Sequence, residues 1–382
     1  METYLETRGD LVTVENAEAL KALIGAKEEE GTVQSFSMSA ACGEEEQSEE
    51  ERLIRRLTDY VLYNSSLTEY EERVLKRLFP LQVKMLELKD ETIKANTQKD
   101  FGTSGQMVIY KVGTLTMEPG SSMIIRNTQL LMDIQKLDRQ RGSVSNPYDL
   151  AILGVDGKKG KEQTETVNRG GKGANGAQGT CSSPGIQGDD GQPGGIGEQG
   201  PEGVMGHPGE NGKKAMGAEI TIRSFSENTT EFVIYTRSGA GGDGGRGGRG
   251  GTGGTGGDGG KGASCGCEGT SGGNGGTGGK GGKGGKGGPG GDGVNGEAII
   301  VNVPQGCKGI IKTITEEAEG GKGGKGGKGG RGGAGGTAGS GRKHHSGGTD
   351  GGIGSGGEPG EAGEDSKVKG MPGHISVMEK QF

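Results

Sequence analysis

The chain has 382 residues, of which 90 are glycine, 27% are apolar and none is tryptophan. Such a composition argues against one large oily core. The net charge of −7 argues against a chain that coats nucleic acid, which needs a basic cluster with aromatics.

Glycine divides the chain near residue 150. Nine glycines lie in residues 1–150 and 81 in the remaining 232, about a third, the level of collagen-like or related architectures. Residues 1–150 carry 18 Lys+Arg against 26 Asp+Glu, and the rest is near neutral at 26 against 25. No basic and apolar leader opens the chain, and no apolar run approaches the roughly 18 residues of a membrane span. The Arg8-Gly9-Asp10 tripeptide reads as chance in so polar a chain.

Residues 1–47 read as a flexible or partly ordered segment, with one short helix between Glu15 and Glu30. Ser48-x-x-Glu51 has the form of a capping box, and Leu53, Ile54, Leu57, Val61 and Leu62 follow at helical spacing. Ser66-x-x-Glu69 repeats the device before Tyr70, Val74, Leu75, Leu78 and Phe79. Pro80 should kink this helix or start a third, with Leu81, Met85, Leu88 and Ile93 on one side. Residues 48–100 are thus expected to be an α-helical region for attachment or oligomerisation.

From residue 105 the pattern turns to β. MVIYKVGTLTM, SSMIIRNTQLLMDIQ and YDLAILG are rich in branched and alternating residues, and Pro119-Gly120 marks a turn. Residues 105–154 are expected to form a β-sandwich-like core completed by 218–237, 297–315 and 374–379. AEITIRSF and EFVIYTR read as one hairpin, EAIIVNV and GIIKTIT as a second, and HISVME as a last single strand.

Between these islands run three glycine-rich excursions, 155–217, 238–296 and 320–373. Residues 241–262 read GGDGGRGGRGGTGGTGGDGGKG, and the Gly-Gly-X period returns at 272–291 and 320–336. Residues 185–212 instead place glycine at every third position. A period of three belongs to a polyproline-II-type helix. Such helices make no internal hydrogen bonds, so buried amides must pair with a neighbouring leg. Glycine lets the backbones approach. Each excursion is interrupted near its middle, at 181–184, 263–268 and 340–346. The simplest path is out, turn and back, with legs of 20–30 residues projecting roughly 60–90 Å. The expected fold class is therefore mixed: an N-terminal α-helical segment, a β-sandwich-like core and a polyglycine-II helix bundle of three folded-back excursions. A flexible glycine linker and a collagen triple helix are the competing readings of the excursions.

Gly-Gly-X legs separated by non-repeating turns resemble the distal receptor-binding adhesins of T-even-type phage tail fibres. In that family glycine-rich motifs form a polyglycine-II bundle, and variable segments between them recognise the host surface. The resemblance covers about 155–373 and is one of period and layout. It implies recognition turns at 181–184, 263–270 and 340–346, with Ser182, Ser183, Glu268, Arg342, Lys343, His344 and His345 as contact residues. A general similarity to collagen-like bacterial and viral proteins also holds for the G-X-Y stretch.

Five cysteines are present: Cys42, Cys181, Cys265, Cys267 and Cys307. Folded-back legs bring Cys181, Cys265, Cys267, His344 and His345 to one tip. Three readings stay open: incidental thiols, a disulfide from Cys181 to Cys265 or Cys267, or a soft metal site. Cys-x-Cys departs from the usual zinc spacing. No catalytic constellation emerges among the four histidines, and the many G-x-G-x-x-G matches are by-products of the repeat. No enzyme activity or cofactor is expected.

The sequence therefore suggests a non-enzymatic adhesin or receptor-binding fibre protein. Its partners would be a bacterial cell-surface receptor or glycan and a neighbouring subunit or second copy met through the N-terminal helices, with no nucleic acid. Its place would be a virion or extracellular particle, reached from the cytoplasm without a signal peptide. The alternatives are a self-assembling filament or collagen-like fibre subunit, and a toxin or carrier with its activity in residues 1–150.

Overall fold

Residues 81–93, where apolar spacing suggests helix, form a strand. The structure is a computed structural model. It describes residues 4–6, 10–24, 56–57, 60–61, 66–103, 107–140, 147–163, 168–183, 186 and 188–382. The capping box at Ser48 and Glu51, and Cys42, lie outside the described residues.

One sheet joins β2 (Asp10–Val14), β3 (Leu81–Ile93), β5 (Met107–Met117), β7 (Leu130–Arg139), β9 (Ala218–Ile222), β13 (Ile299–Pro304) and β15 (Ile375–Lys380). The other joins β1 (Tyr4–Glu6), β4 (Gln98–Asp100), β6 (Ser122–Arg126), β8 (Leu150–Leu153), β10 (Phe232–Arg237) and β14 (Ile311–Glu316). From β3 onward, successive core strands alternate between the two sheets. Every pairing within a sheet is parallel except β2 on β3. The chain therefore winds as a two-sheet β-solenoid, one strand per sheet per coil.

Register explains why this winding is stable. Val108, Leu130, Ala218, Ile299 and Ile375 stack across five coils, as do Tyr110, Met132, Ile220, Val301 and Val377. Met123, Leu150 and Ile234 form the facing stack. Each coil thus buries its apolar stripe on the coil before it, and these residues form one core. Two polar ties sit inside. Arg139 Nε donates to Asp149 Oδ1 at 2.5 Å with both side chains nearly buried, and Lys99 pairs with Glu91 beside Tyr110 and Phe101.

The expected fold class is corrected. Secondary structure is 29% strand and only 7% helix, with two α-helices, α1 (Ala17–Ile24) and α2 (Glu69–Leu75), among the described residues. The capping box of α2 uses Thr68 and Glu71 rather than Ser66 and Glu69. Both helices cover the outer face of the larger sheet, where Val83, Ile109 and Leu131 meet Val14, Leu20, Leu57, Val61 and Leu75. The third helix is replaced by β3. A parallel register from Val83 to Ile93 against β5 outweighs the helix propensity of its Leu, Lys and Glu residues. The two expected hairpins are also corrected: β9 and β10, and β13 and β14, each split between the sheets, as solenoid winding requires.

Among the described residues the excursions carry no assigned helix, in place of the polyglycine-II helix bundle that was expected, and their only strands are a short tip hairpin. They are extended legs. All three leave the solenoid at one corner, where the chain crosses from the smaller sheet back to the larger one. Leu153, Arg237 and Glu316 are register partners at the exits, and Ala218, Ile299 and Ile375 at the returns. The roots are thereby aligned.

Outgoing legs (155–180, 239–262, 319–340) bond side by side, as Gly173 N–H to Thr255 O and Gly256 N–H to Ala334 O, both 2.9 Å. Returning legs (188–214, 271–296, 347–373) do the same through Gly197 N–H to Thr277 O and Gly281 N–H to Ser355 O. The two layers are cross-tied by Gly257 N–H to Gly195 O and Gly276 N–H to Gly257 O, both 2.8 Å. The pattern recurs every three residues. Legs 239–262 and 271–296 each contact four neighbours and read Gly-Gly-X. Legs 155–180, 188–214 and 347–373 have fewer neighbours and keep about one glycine per triplet. A Cβ on Gly256 would lie 1.9 Å from Gly276 O, and one on Gly257 1.9 Å from Ala174 O.

The tip of the glycine-rich arm as candidate functional site

The three interruptions of the repeat meet at the far end of the legs. In the first, Thr180 N–H donates to Asp189 O at 3.0 Å and Thr180 Oγ1 to Asp189 Oδ2 at 3.1 Å, and Ser183 bridges Ile186. In the second, β11 (Ser264–Cys265) and β12 (Glu268–Gly269) form an antiparallel hairpin over Gly266 and Cys267. Gly266 has φ +74°, a left-handed conformation that glycine adopts without steric cost. In the third, His345 N–H donates to Arg342 O at 3.1 Å across Lys343, whose φ is +55°.

A disulfide between Cys181 and Cys265, Cα atoms 5.4 Å apart, fastens the first turn to the second. Thr270 fastens the second to the third: its Oγ1 accepts Ala263 N–H at 2.7 Å, and its carbonyl accepts Arg342 N–H at 3.1 Å. His345 Nε2 lies 3.7 Å from Glu268 Oε2. Thr270 is fully buried. It was not singled out in the sequence, where it closes the break just before the repeat resumes.

Ser182, Ser183, Glu268, Arg342, Lys343 and His344 are exposed, and His345 is half-buried. Pro184 lies outside the described residues. The surface so formed offers two cations, two imidazoles, hydroxyls and one carboxylate, a set suited to hydrogen bonding rather than to covalent chemistry. Cys267 is an exposed free thiol, and Cys307 sits away from the tip, after β13. Two of the three candidate metal sulfurs are held in the disulfide, and no group of three His, Cys, Asp or Glu among the described residues is placed to hold a metal ion. No helix of the described residues is long and apolar enough to cross a membrane.

No protein-family model matches the chain, and no curated protein matches it. Among solved structures it is similar to a springtail antifreeze protein from Granisotoma rainieri, described as a nine polyproline type II helical bundle. That likeness has 22% identity, covers 58% of this chain and 98% of the other, and has a TM-score of 0.08. At that score it supports no statement about this chain's fold or function.

Proposed function

We propose that this protein is a non-enzymatic receptor-binding fibre component, an adhesin whose solenoid is a platform and whose glycine-rich arm carries three contact turns. The observation that supports this reading is the joining of all three interruptions at the far end of the arm by the Cys181–Cys265 disulfide and Thr270. The legs spend their side chains on keeping a regular lattice. The turns at the tip leave the period together, and there polar side chains are gathered on the tied backbone. The partner is a cell-surface glycan or protein of a bacterium, and the particle is a virion or fibre.

Binding of fluorescently labelled protein to whole bacterial cells tests this. Arg342→Ala with His345→Ala should reduce cell binding at least tenfold while the melting transition stays in place. Unchanged binding by a folded double variant on cells that retain the wild type would reject the tip as the contact surface.

A filament subunit is the second reading. It is favoured by the position of β14 and β15 at the edges of their sheets, where a further coil from another copy could pair. Concentration-dependent polymerisation of the purified chain would support that reading, and a discrete species at all concentrations would oppose it.

A further inference from the structure

The two broad faces of the arm differ in how they treat their lysines. On the returning-leg face, Lys280, Lys283 and Lys286 pair with Glu358, Glu361 and Glu364 at 3.4, 2.9 and 3.1 Å. On the outgoing-leg face, Lys322, Lys325, Lys328 and Arg331 stand on one leg at every third residue, with Arg246 and Arg249 on the adjacent leg. All six are exposed. None forms an ion pair among the described residues. The nearby carboxylates are occupied: Glu162 pairs with Lys159 at 2.9 Å, and Asp243 accepts the Lys322 backbone N–H at 2.9 Å. Arg246 adds only a longer-range attraction to Glu162.

The lattice fixes the spacing of these charges. Three residues of extended chain advance roughly 9 Å, so Lys322 to Arg331 spans about 28 Å in a straight row. Neighbouring like charges repel in water, and among the described residues no ion pair offsets them. We infer that the face formed by Lys322, Lys325, Lys328, Arg331, Arg246 and Arg249 binds a linear acidic polysaccharide lying along the arm. A polymer with one carboxylate or sulfate per disaccharide repeats its charge at a comparable distance. Nucleic acid suits the face less well. Its phosphates repeat more closely, and the outgoing legs carry no aromatic residue on which a base could stack. The inference does not depend on the tip being a receptor site.

The test uses the full chain and two probes of matched length, a hyaluronan oligomer with one carboxylate per disaccharide and single-stranded oligothymidylate, titrated by fluorescence anisotropy at several salt concentrations. Wild type should bind the hyaluronan oligomer with a steep salt dependence. Lys325→Gln with Lys328→Gln and Arg331→Gln should lose about tenfold or more in affinity and flatten the salt slope. Lys280→Gln with Lys283→Gln and Lys286→Gln, on the paired face, should leave binding unchanged. The inference is overturned if wild type binds no hyaluronan at low salt, if both triple variants lose affinity equally, or if oligothymidylate binds more tightly than hyaluronan.

Discussion

Replacing Gly257 by alanine is the sharpest perturbation of the arm. Gly257 lies on the central outgoing leg, and a Cβ there would sit 1.9 Å from Ala174 O and 2.5 Å from its carbonyl carbon. These are backbone atoms of a neighbouring leg, so no side-chain rotation relieves the clash. The legs must part by roughly 1–2 Å to restore ordinary contact. That opening strains Gly173 N–H to Thr255 O at 2.9 Å and Gly176 N–H to Asp258 O at 2.8 Å, which join the same two legs. Each bond contributes about 1 kcal/mol net and costs about 1–3 kcal/mol if its groups are buried unpaired. The unfolded-state gain from Gly to Ala returns only about 0.4–1 kcal/mol. The expected loss is therefore about 1–5 kcal/mol of arm stability. Gly352 is the matched control. It is exposed, and the nearest atom to its Cβ would be Thr277 Cγ2 at 3.9 Å. Gly352→Ala should be neutral or slightly stabilising. Urea denaturation followed by hydrogen exchange of residues 241–291 measures both. If Gly257→Ala matched Gly352→Ala within about 0.5 kcal/mol, the close-approach account of glycine would be wrong.

Three further outcomes follow from side chains in the fold. Glu71 is held down to about 2, first by its hydrogen bond from Arg56 and then by Thr68, against the opposing effect of burial. Because the folded form is depressed, its contribution is present above the ordinary carboxylate range and is lost as pH falls from about 4.5 to about 2. Wild type should therefore exceed Glu71→Gln in stability at pH 7 and converge with it near pH 2 in thermal melts. Asp149→Asn should cost about 3–5 kcal/mol by urea denaturation, because it leaves Arg139 charged and buried in the solenoid. A loss under 1 kcal/mol would show that water reaches the pair. Removing the disulfide as Cys181→Ser with Cys265→Ser opens a link across 84 residues. The chain-entropy estimate for such a loop is about 4.5 kcal/mol. Hydrogen exchange should then rise at 180–189 and 263–270 while the solenoid core stays protected.

Much of the arm was legible because its physics is local and periodic. The three-residue phase and its interruptions at 181–184, 263–268 and 340–346 are marked by residue type alone. Close packing is also written there, as two glycines per triplet on legs 239–262, 271–296 and 319–340 and about one on the other three. The strand islands 218–222, 232–237, 299–304 and 375–380 stood out by their branched residues. Their pairing did not. A hairpin and a solenoid coil use the same apolar alternation, and only long-range register decides between them. Residues 81–93 misled for a related reason: Leu, Lys, Glu and Met favour helix locally, and the parallel partner that overrides them begins at Met107. At the tip, Cys181 and Cys265 were visible as candidates. The role of Thr270 was not, since a threonine that ties two turns looks like any threonine in a loop.

Amide exchange resolved residue by residue along 239–291 tests the central claim most directly. The lattice predicts a repeat of three in which both glycine amides of each triplet are protected, as at Gly244, Gly245, Gly247 and Gly248, because each donates to a neighbouring leg. The amides of the intervening residues Arg246 and Arg249, with no such partner, should exchange quickly. Uniformly fast exchange throughout 239–291, at the rate of an unstructured chain, would contradict the hydrogen-bonded arm and every proposal built on it.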